Sequence, residues 1–266
     1  MIRAAVLGSP IEHSLSPLIH TKAYELLGIE GSYERFDVGV DQFEEFIESS
    51  LSQSWTGFSM TMPLKESAFK YDFDVDSRSS KIQSANTLIR EGSSYRVLST
   101  DVSAFDRILT GITFSEVLLI GGGGTARAAL GALDGLVEKI TIVQRSDARN
   151  NQLISCVDSS ELNFVDFTHQ LNAYDLVIST TPQGVSDIFA GRVNSDVKTL
   201  IEVLYKPSPT KLSEAWLKHG GNVIDGLDLL VEQALDQIHL MTGASFDYAW
   251  MRTALLEEVR IRQSQG

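Results

Sequence analysis

Only one cysteine, Cys156, stands in 266 residues. An intrachain disulfide is excluded, and a reducing compartment such as the cytoplasm is the expected setting. No apolar run approaches the length of a bilayer-spanning helix, and the opening MIRAAVLG lacks the long apolar core of a secretory signal, so it reads as a first strand. Basic charge is scarce: 22 Lys and Arg stand against 35 Asp and Glu, a formal net charge of −13. That balance argues against nucleic acid and anionic membrane surfaces as partners. It also means that an anionic substrate must be captured by local donors against the mean field. The 5 His residues show no ligand pair such as His-x-x-x-His, so no metal is expected, and His13 and His20 read as structural or surface groups. Ser-rich stretches at 49–54 and 77–80 are too short to count as low complexity.

What is present is ordinary for a folded chain, with 43% hydrophobic and 21% charged residues. Its length suits one large or two modest domains. Strand and helix signals alternate: strand 2–7, helix 17–27, strand 32–38, helix 42–51, strand 57–61, helix 64–70, strands near 86–90 and 95–99, and helix 101–110. Strands near 117–120, 139–143, 162–165, 175–179 and 199–203 follow, then helix 210–218, a short strand 222–224 and helices 226–242 and 247–263. Ser16-Pro17 reads as an N-cap and first helical residue, Gly28 as the stop of that helix, and Asp41 with Glu44 as a capping box. The alternation predicts a parallel α/β architecture in two domains. A division near Asp101 gives 1–101 plus 240–266 as one domain and 102–239 as a second, Rossmann-type domain, with the last helix returning to the first domain and a cleft between the two.

Residues 117–149, VLLIGGGGTARAALGALDGLVEKITIVQRSDAR, carry the strongest single signal. A buried-strand run, Val117 to Ile120, feeds a glycine turn, and Ala126, Ala129, Leu130 and Leu133 then repeat at helical spacing. Glycines permit a sharp turn and close approach of a phosphate, and the N-terminus of the following helix offers N–H groups and the positive end of its dipole. Gly121, Gly123 and Gly124 are the candidates for that turn, with Thr125 at the helix entry. Ala126 stands where a third glycine is often found. Beyond the next strand, a site for unphosphorylated NAD would place an acid on the ribose. Gln144, Arg145 and Ser146 stand there instead, with Arg149 one turn on. Arginine pairs with a 2′-phosphate, so NADP is the expected cofactor.

A second constellation lies in the first hundred residues. Ser14-Leu15-Ser16-Pro17 puts two hydroxyls at a helix entry, which suits a carboxylate. Thr61 and Lys65 follow a strand, Asn86 and Thr87 lie in SANTLI, and Thr100-Asp101 closes VLSTD.

The order SLSP, T-x-P-x-K, A-N-T, T-D, glycine turn and Arg-bearing strand end resembles the shikimate dehydrogenase family. The likeness continues in Ser179-Thr180-Thr181-Pro182-Gln183-Gly184, in Glu202-Val203-Leu204-Tyr205-Lys206-Pro207, and in Gly226-Leu227 followed by Leu230-Val231-Glu232-Gln233-Ala234. The resemblance implies reversible, NADP-dependent reduction of 3-dehydroshikimate to shikimate, an oxidoreductase step of aromatic amino acid biosynthesis. It implies that Ser14 and Ser16 hold the substrate carboxylate, with Tyr205 assisting, and that Thr61, Asn86, Asp101 and Gln233 bind the ring hydroxyls. Lys65 and Asp101 would form the catalytic pair, and Thr181 and Gly226 would join the nucleotide site. Monomer and homodimer are both compatible with it.

Departures mark a divergent member. Ser59, Ser99 and Ser179 replace asparagines, Val97 and Ala104 replace glycines, Val185 and Asp228 replace methionines, Gln144 and Ser146 replace the Asn and Thr around Arg145, and Glu202 replaces an Asp. Besides the shikimate enzyme, two readings stay open: a sibling preferring quinate or another polyol acid, and a binding or regulatory protein that kept the fold without turnover. The serine pair favours shikimate, Arg145 favours NADP, and intact Lys65 and Asp101 count against loss of turnover.

Overall fold

A computed structural model describes residues 1–171 and 174–264. They fall into two compact units, Met1–Ala104 with the chain from Leu230 onward, and Phe105–Leu229. The second change of unit lies within one helix, ten residues before the expected boundary at 240. The last two residues of the expected 240–266 segment are outside the described residues.

In chain order the first unit contains β1 (Ile2–Gly8), α1 (Ser16–Leu27), β2 (Gly31–Asp37), a 3-10 turn (Val40–Gln42), α2 (Phe43–Leu51), β3 (Gly57–Met60), a 3-10 stretch (Leu64–Lys70), β4 (Asp74–Val75), α3 (Ser77–Ile82), β5 (Thr87–Glu91) and β6 (Ser94–Leu98), and α4 (Thr100–Thr110) begins there. Its sheet runs β2-β1-β3-β5-β6-β4. The sheet is mixed, because β5 and β6 form a hairpin that also sets β5 antiparallel to β3. Two residues, Gly92 and Ser93, close that hairpin, and the left-handed Gly92 (φ 59°) matches the twist of the flanking strands. Phe58 is fully buried, with the rings of Trp55, Phe46 and Tyr95 5.1, 5.4 and 5.8 Å away. This aromatic cluster fixes β3, and with it the segment that follows.

Three local expectations are corrected. Ser16 is the first residue of α1, and Leu15 is its N-cap; the cap-like bond comes from Ser14, whose Oγ accepts the Ser16 N–H at 3.3 Å. Asp41 is inside a 3-10 turn capped at Gly39, whose N–H is taken by Gln42 Oε1 at 2.9 Å. Residues 64–70 form a 3-10 stretch rather than an α-helix, and the short elements β4 and α3 escaped the periodicity because two and six residues give no period to read.

The second unit continues with β7 (Val117–Ile120), α5 (Gly124–Leu133), β8 (Lys139–Val143), a 3-10 turn (Asp147–Arg149), α6 (Asn150–Ile154), β9 (Glu161–Val165), β10 (Leu176–Ser179), a 3-10 stretch (Ser186–Arg192), β11 (Thr199–Glu202), α7 (Lys211–Lys218) and β12 (Asn222–Ile224). Next come α8 (Gly226–Thr242), which passes into the first unit, and α9 (Tyr248–Ser264). The six strands are all parallel in the order β9-β8-β7-β10-β11-β12, the doubly wound arrangement whose strand order reverses between β7 and β10. Ala126, Ala129, Leu130 and Leu133 are fully buried in α5, and so is Ala128, so the helix is covered on more than the one face their spacing marks. Among the described residues no helix is long and apolar enough to cross a membrane.

Glu202, at the buried end of β11, gives this unit a pH dependence. Burial pushes its carboxyl up from the ordinary 4.5 to about 6, although the Leu204 N–H and the Thr210 hydroxyl donate to it. Between those two values the folded form holds a proton that the unfolded chain has released, so this contribution to stability falls as pH rises and is fully lost above about 6. The loss is about 2 kcal/mol. Glu202→Gln is therefore expected to gain stability over the parent at pH 7 but not at pH 4 in urea melts; an equal gain at both values would place the effect elsewhere.

Candidate active site

The chain path brings two loops of the first unit side by side. Thr61 N–H donates to Leu7 O at 2.9 Å and Ser9 N–H to Met62 O at 3.0 Å, so the loop leading to Ser14 and Ser16 runs against the turn that carries Thr61 and Lys65. Gly8 makes that approach possible: a Cβ there would lie 2.5 Å from Thr61 Cγ2 and 2.9 Å from Met62 O. Sequence reading missed Gly8, although a glycine closing a strand just ahead of a motif was an available signal. Gly8→Ala should force this turn outward and lower kcat/KM by about tenfold or more. Unchanged kinetics would show that the turn yields without moving Thr61 or Lys65.

Lys65 leaves the 3-10 stretch with its Nζ 2.5 Å from Asp101 Oδ2, and the two side chains are only 18% and 7% exposed. Such a pair is screened far less than a surface ion pair and holds the ammonium in one direction. Asp101 lies in the first turn of α4, where a carboxylate is favoured by the helix dipole. Its other oxygen, Oδ1, accepts from Asn86 Nδ2 at 2.8 Å. Asn86 also donates to Gln233 Oε1 at 3.2 Å, and its Oδ1 accepts the Thr100 N–H at 2.8 Å. Lys65, Asp101, Asn86 and Gln233, far apart in sequence, thus form one hydrogen-bonded cluster. Ser14, Ser16 and Thr61 sit on the two adjoining loops and have no hydrogen bond to the cluster among those described.

In the second unit the glycine turn lies where the strand order reverses. Gly121 adopts φ 114°, and a Cβ on it would sit 2.5 Å from Thr180 Oγ1, so glycine is required there by the chain itself. Gly123 differs: a Cβ would meet nothing closer than Arg149 Nη1 at 3.8 Å. Its bare backbone serves no internal packing, which fits approach by an outside phosphate. Gly124 and Thr125 open α5, and Ala126 lets it pack closely. The 3-10 turn after β8 brings Arg149 back over the glycines, where Nη1 donates to Gly122 O at 3.0 Å, and half-buried Gln144 bonds to Asn150. Arg145 and Ser146 are exposed beyond β8. Thr181, just past β10, is buried, and its hydroxyl has no hydrogen-bond partner among the described residues, an unused donor at the same end of the sheet. Gly226 sits under the end of β11, where a Cβ would lie 2.4 Å from Val203 O. Tyr205 follows β11, half-buried, with its hydroxyl pKa raised by burial. These residues fit a 2′-phosphorylated dinucleotide: the turn admits phosphates, and the segment after β8 carries Arg145 and Arg149, with Asp147 the single carboxylate between them.

Sequence reading also missed Gln237. It lies four residues after Gln233, hence on the same face of α8, and its amide reaches Asn86 O at 3.2 Å.

Known proteins share this sequence pattern and fold. Residues 6–88 match the family model described as shikimate dehydrogenase substrate binding domain, and residues 104–199 match the one described as shikimate / quinate 5-dehydrogenase. The shikimate dehydrogenase (NADP(+)) of Methanococcoides burtonii is 30% identical over 270 residues, 97% of this chain and 98% of that protein. The crystal structure of Mycobacterium tuberculosis shikimate dehydrogenase is similar at 33% identity and a TM-score of 0.87, covering 96% of this chain and 99% of the other. That of the Thermus thermophilus shikimate 5-dehydrogenase, in complex with NADP(H) and shikimate, is similar at 27% identity and a TM-score of 0.83, covering 97% of this chain and all of the other (100%).

Proposed function

Because this chain belongs to the shikimate dehydrogenase family, we propose that it catalyses the reversible, NADP-dependent reduction of 3-dehydroshikimate to shikimate. The observation that carries the reading is the Lys65–Asp101 pair, 2.5 Å apart and tied to Asn86 and Gln233. NADPH, when bound, supplies a hydride to the ketone carbon. Negative charge then grows on the ketone oxygen, and the Lys65 ammonium stabilises it and gives it a proton. Asp101 keeps that ammonium aimed. In the oxidative direction the same lysine, unprotonated, takes the hydroxyl proton.

Ser14 and Ser16 hold the substrate carboxylate, against the acidic mean field. Thr61, Asn86, Asp101 and Gln233 bind the ring hydroxyls. Gly121, Gly123, Gly124, Thr125 and Ala126 form the pyrophosphate end of the nucleotide site, Gln144, Arg145, Ser146 and Arg149 surround the 2′-phosphate, and Thr181 and Gly226 complete it. The protein works in the cytoplasm as a monomer or homodimer, with no nucleic-acid or membrane partner.

The test is steady-state oxidation of shikimate and of quinate, each with NADP and with NAD, followed by absorbance of the reduced cofactor. Turnover confined to shikimate with NADP is the expected result. Turnover with quinate or NAD would reassign the specificity, and none with any pair, in protein that binds nucleotide, would support a binding role and direct attention to Val185 and Asp228.

A further inference from the structure

We propose that Gln237 is a positioning residue of this enzyme, carrying orientation from a buried His20–Tyr33–Ser59 cluster into the hydrogen bonds that aim Asp101 and, through it, Lys65. The proposal rests on reading Lys65 and Asp101 as the catalytic pair.

The Gln237 side chain is fully buried, and the orientation of its amide is settled by its neighbours. Nε2 donates to Asn86 O at 3.2 Å, and a carbonyl can only accept. The same nitrogen donates to Thr87 Oγ1 at 2.9 Å. Oε1 therefore faces the other way, accepting from Ser59 Oγ at 2.8 Å and from His20 Nε2 at 3.3 Å. Ser59 is free to give its proton to Gln237 because Tyr33 OH donates to it at 2.5 Å. Thr87, receiving from Gln237, passes its own proton to Asn86 Oδ1 at 3.0 Å. Asn86 is pinned in turn, since its Oδ1 takes the Thr100 N–H and its Nδ2 donates to the Asp101 carboxylate.

Every link from Tyr33 to Asp101 thus points in the same direction, and the chain ends on Asp101 Oδ1 while Lys65 bonds to Oδ2. A hydrogen-bond chain of one polarity strengthens each of its members. Helix α8 holds Asn86 from two sides, with Gln233 on its side-chain amide and Gln237 on its carbonyl. His20 stacks on Tyr33 at 3.9 Å, and burial lowers its pKa to about 3 and raises that of Tyr33, so both stay neutral over any working pH. Asp236, beside Gln237, turns instead to Ser103 and Tyr248.

Without Gln237, Thr87 loses its donor and is free to turn from Asn86, which then holds Asp101 less firmly. In Gln237→Leu, kcat is expected to fall about tenfold, with KM for NADP and for the substrate each within about twofold of the parent. A folded variant with the parent's kcat, or one whose kcat and KM values are all disturbed together, would overturn the proposal. Should Gln237→Leu fail to fold, Thr87→Val breaks the same chain with an isosteric side chain: a lowered kcat with KM values kept supports the positioning role, and a parental kcat overturns it. Lys65→Ala run alongside separates the two claims: if it keeps normal kcat, the reading of the pair fails, whereas an inactive Lys65→Ala beside a normal Gln237→Leu sinks the positioning role alone.

Discussion

Lys65→Ala is expected to lower kcat by roughly a thousandfold while KM for the substrate changes severalfold at most. The two effects separate because the ammonium acts on charge that appears as the ketone is reduced, so its contribution is largest in the transition state. The geometry makes the expected loss large: Nζ is held 2.5 Å from Asp101 Oδ2 in a pocket where neither side chain is well exposed, and water that replaces it brings neither the charge nor a fixed direction. Lys65→Arg divides the effect further, since guanidinium keeps the charge but does not give up a proton at working pH. It should stay well below the parent. Near-normal turnover of Lys65→Ala, measured in both directions, would remove Lys65 from the mechanism.

Arg145→Ala is expected to raise KM for NADP by about ten- to a hundredfold and to leave the value for NAD nearly unchanged. Only NADP offers a second anionic group beyond β8, and an exposed arginine there has no other structural duty among the described contacts. Arg149 is engaged differently, because its guanidinium already donates to Gly122 O at 3.0 Å. Its removal should weaken both nucleotides, the phosphorylated one more. Equal losses for NADP and NAD in Arg145→Ala would place that side chain away from the 2′-phosphate, leaving Arg149 and Gln144 to account for selectivity.

The parts of the molecule legible in advance were those written locally. Val117 to Ile120, the glycines and the apolar face of α5 sit within 17 residues, and strand, turn and helix each follow from residues that touch. The Lys65–Asp101 ion pair was legible for another reason: the motifs around the two residues match a family's order. Elements with too few residues to show a period, such as β4 and α3, were not legible, and neither was the 3-10 geometry of 64–70. The capping of α1 depends on which of two nearby serines the backbone turns toward, a choice that composition leaves open.

By itself, then, the sequence determined the α/β class, the glycine turn with its cation-bearing strand end, and the identity of the groups able to hold an anion or move a proton, since all of these depend on residue type and short-range spacing. Tertiary structure decided which of those groups meet. Gln237 reaches Asn86 across 151 positions, Lys65 reaches Asp101 across 36, and Gly8 matters only where another loop passes within 3 Å. Such contacts are fixed by how a mixed sheet and a returning helix pack, and packing at that range leaves no period in the chain.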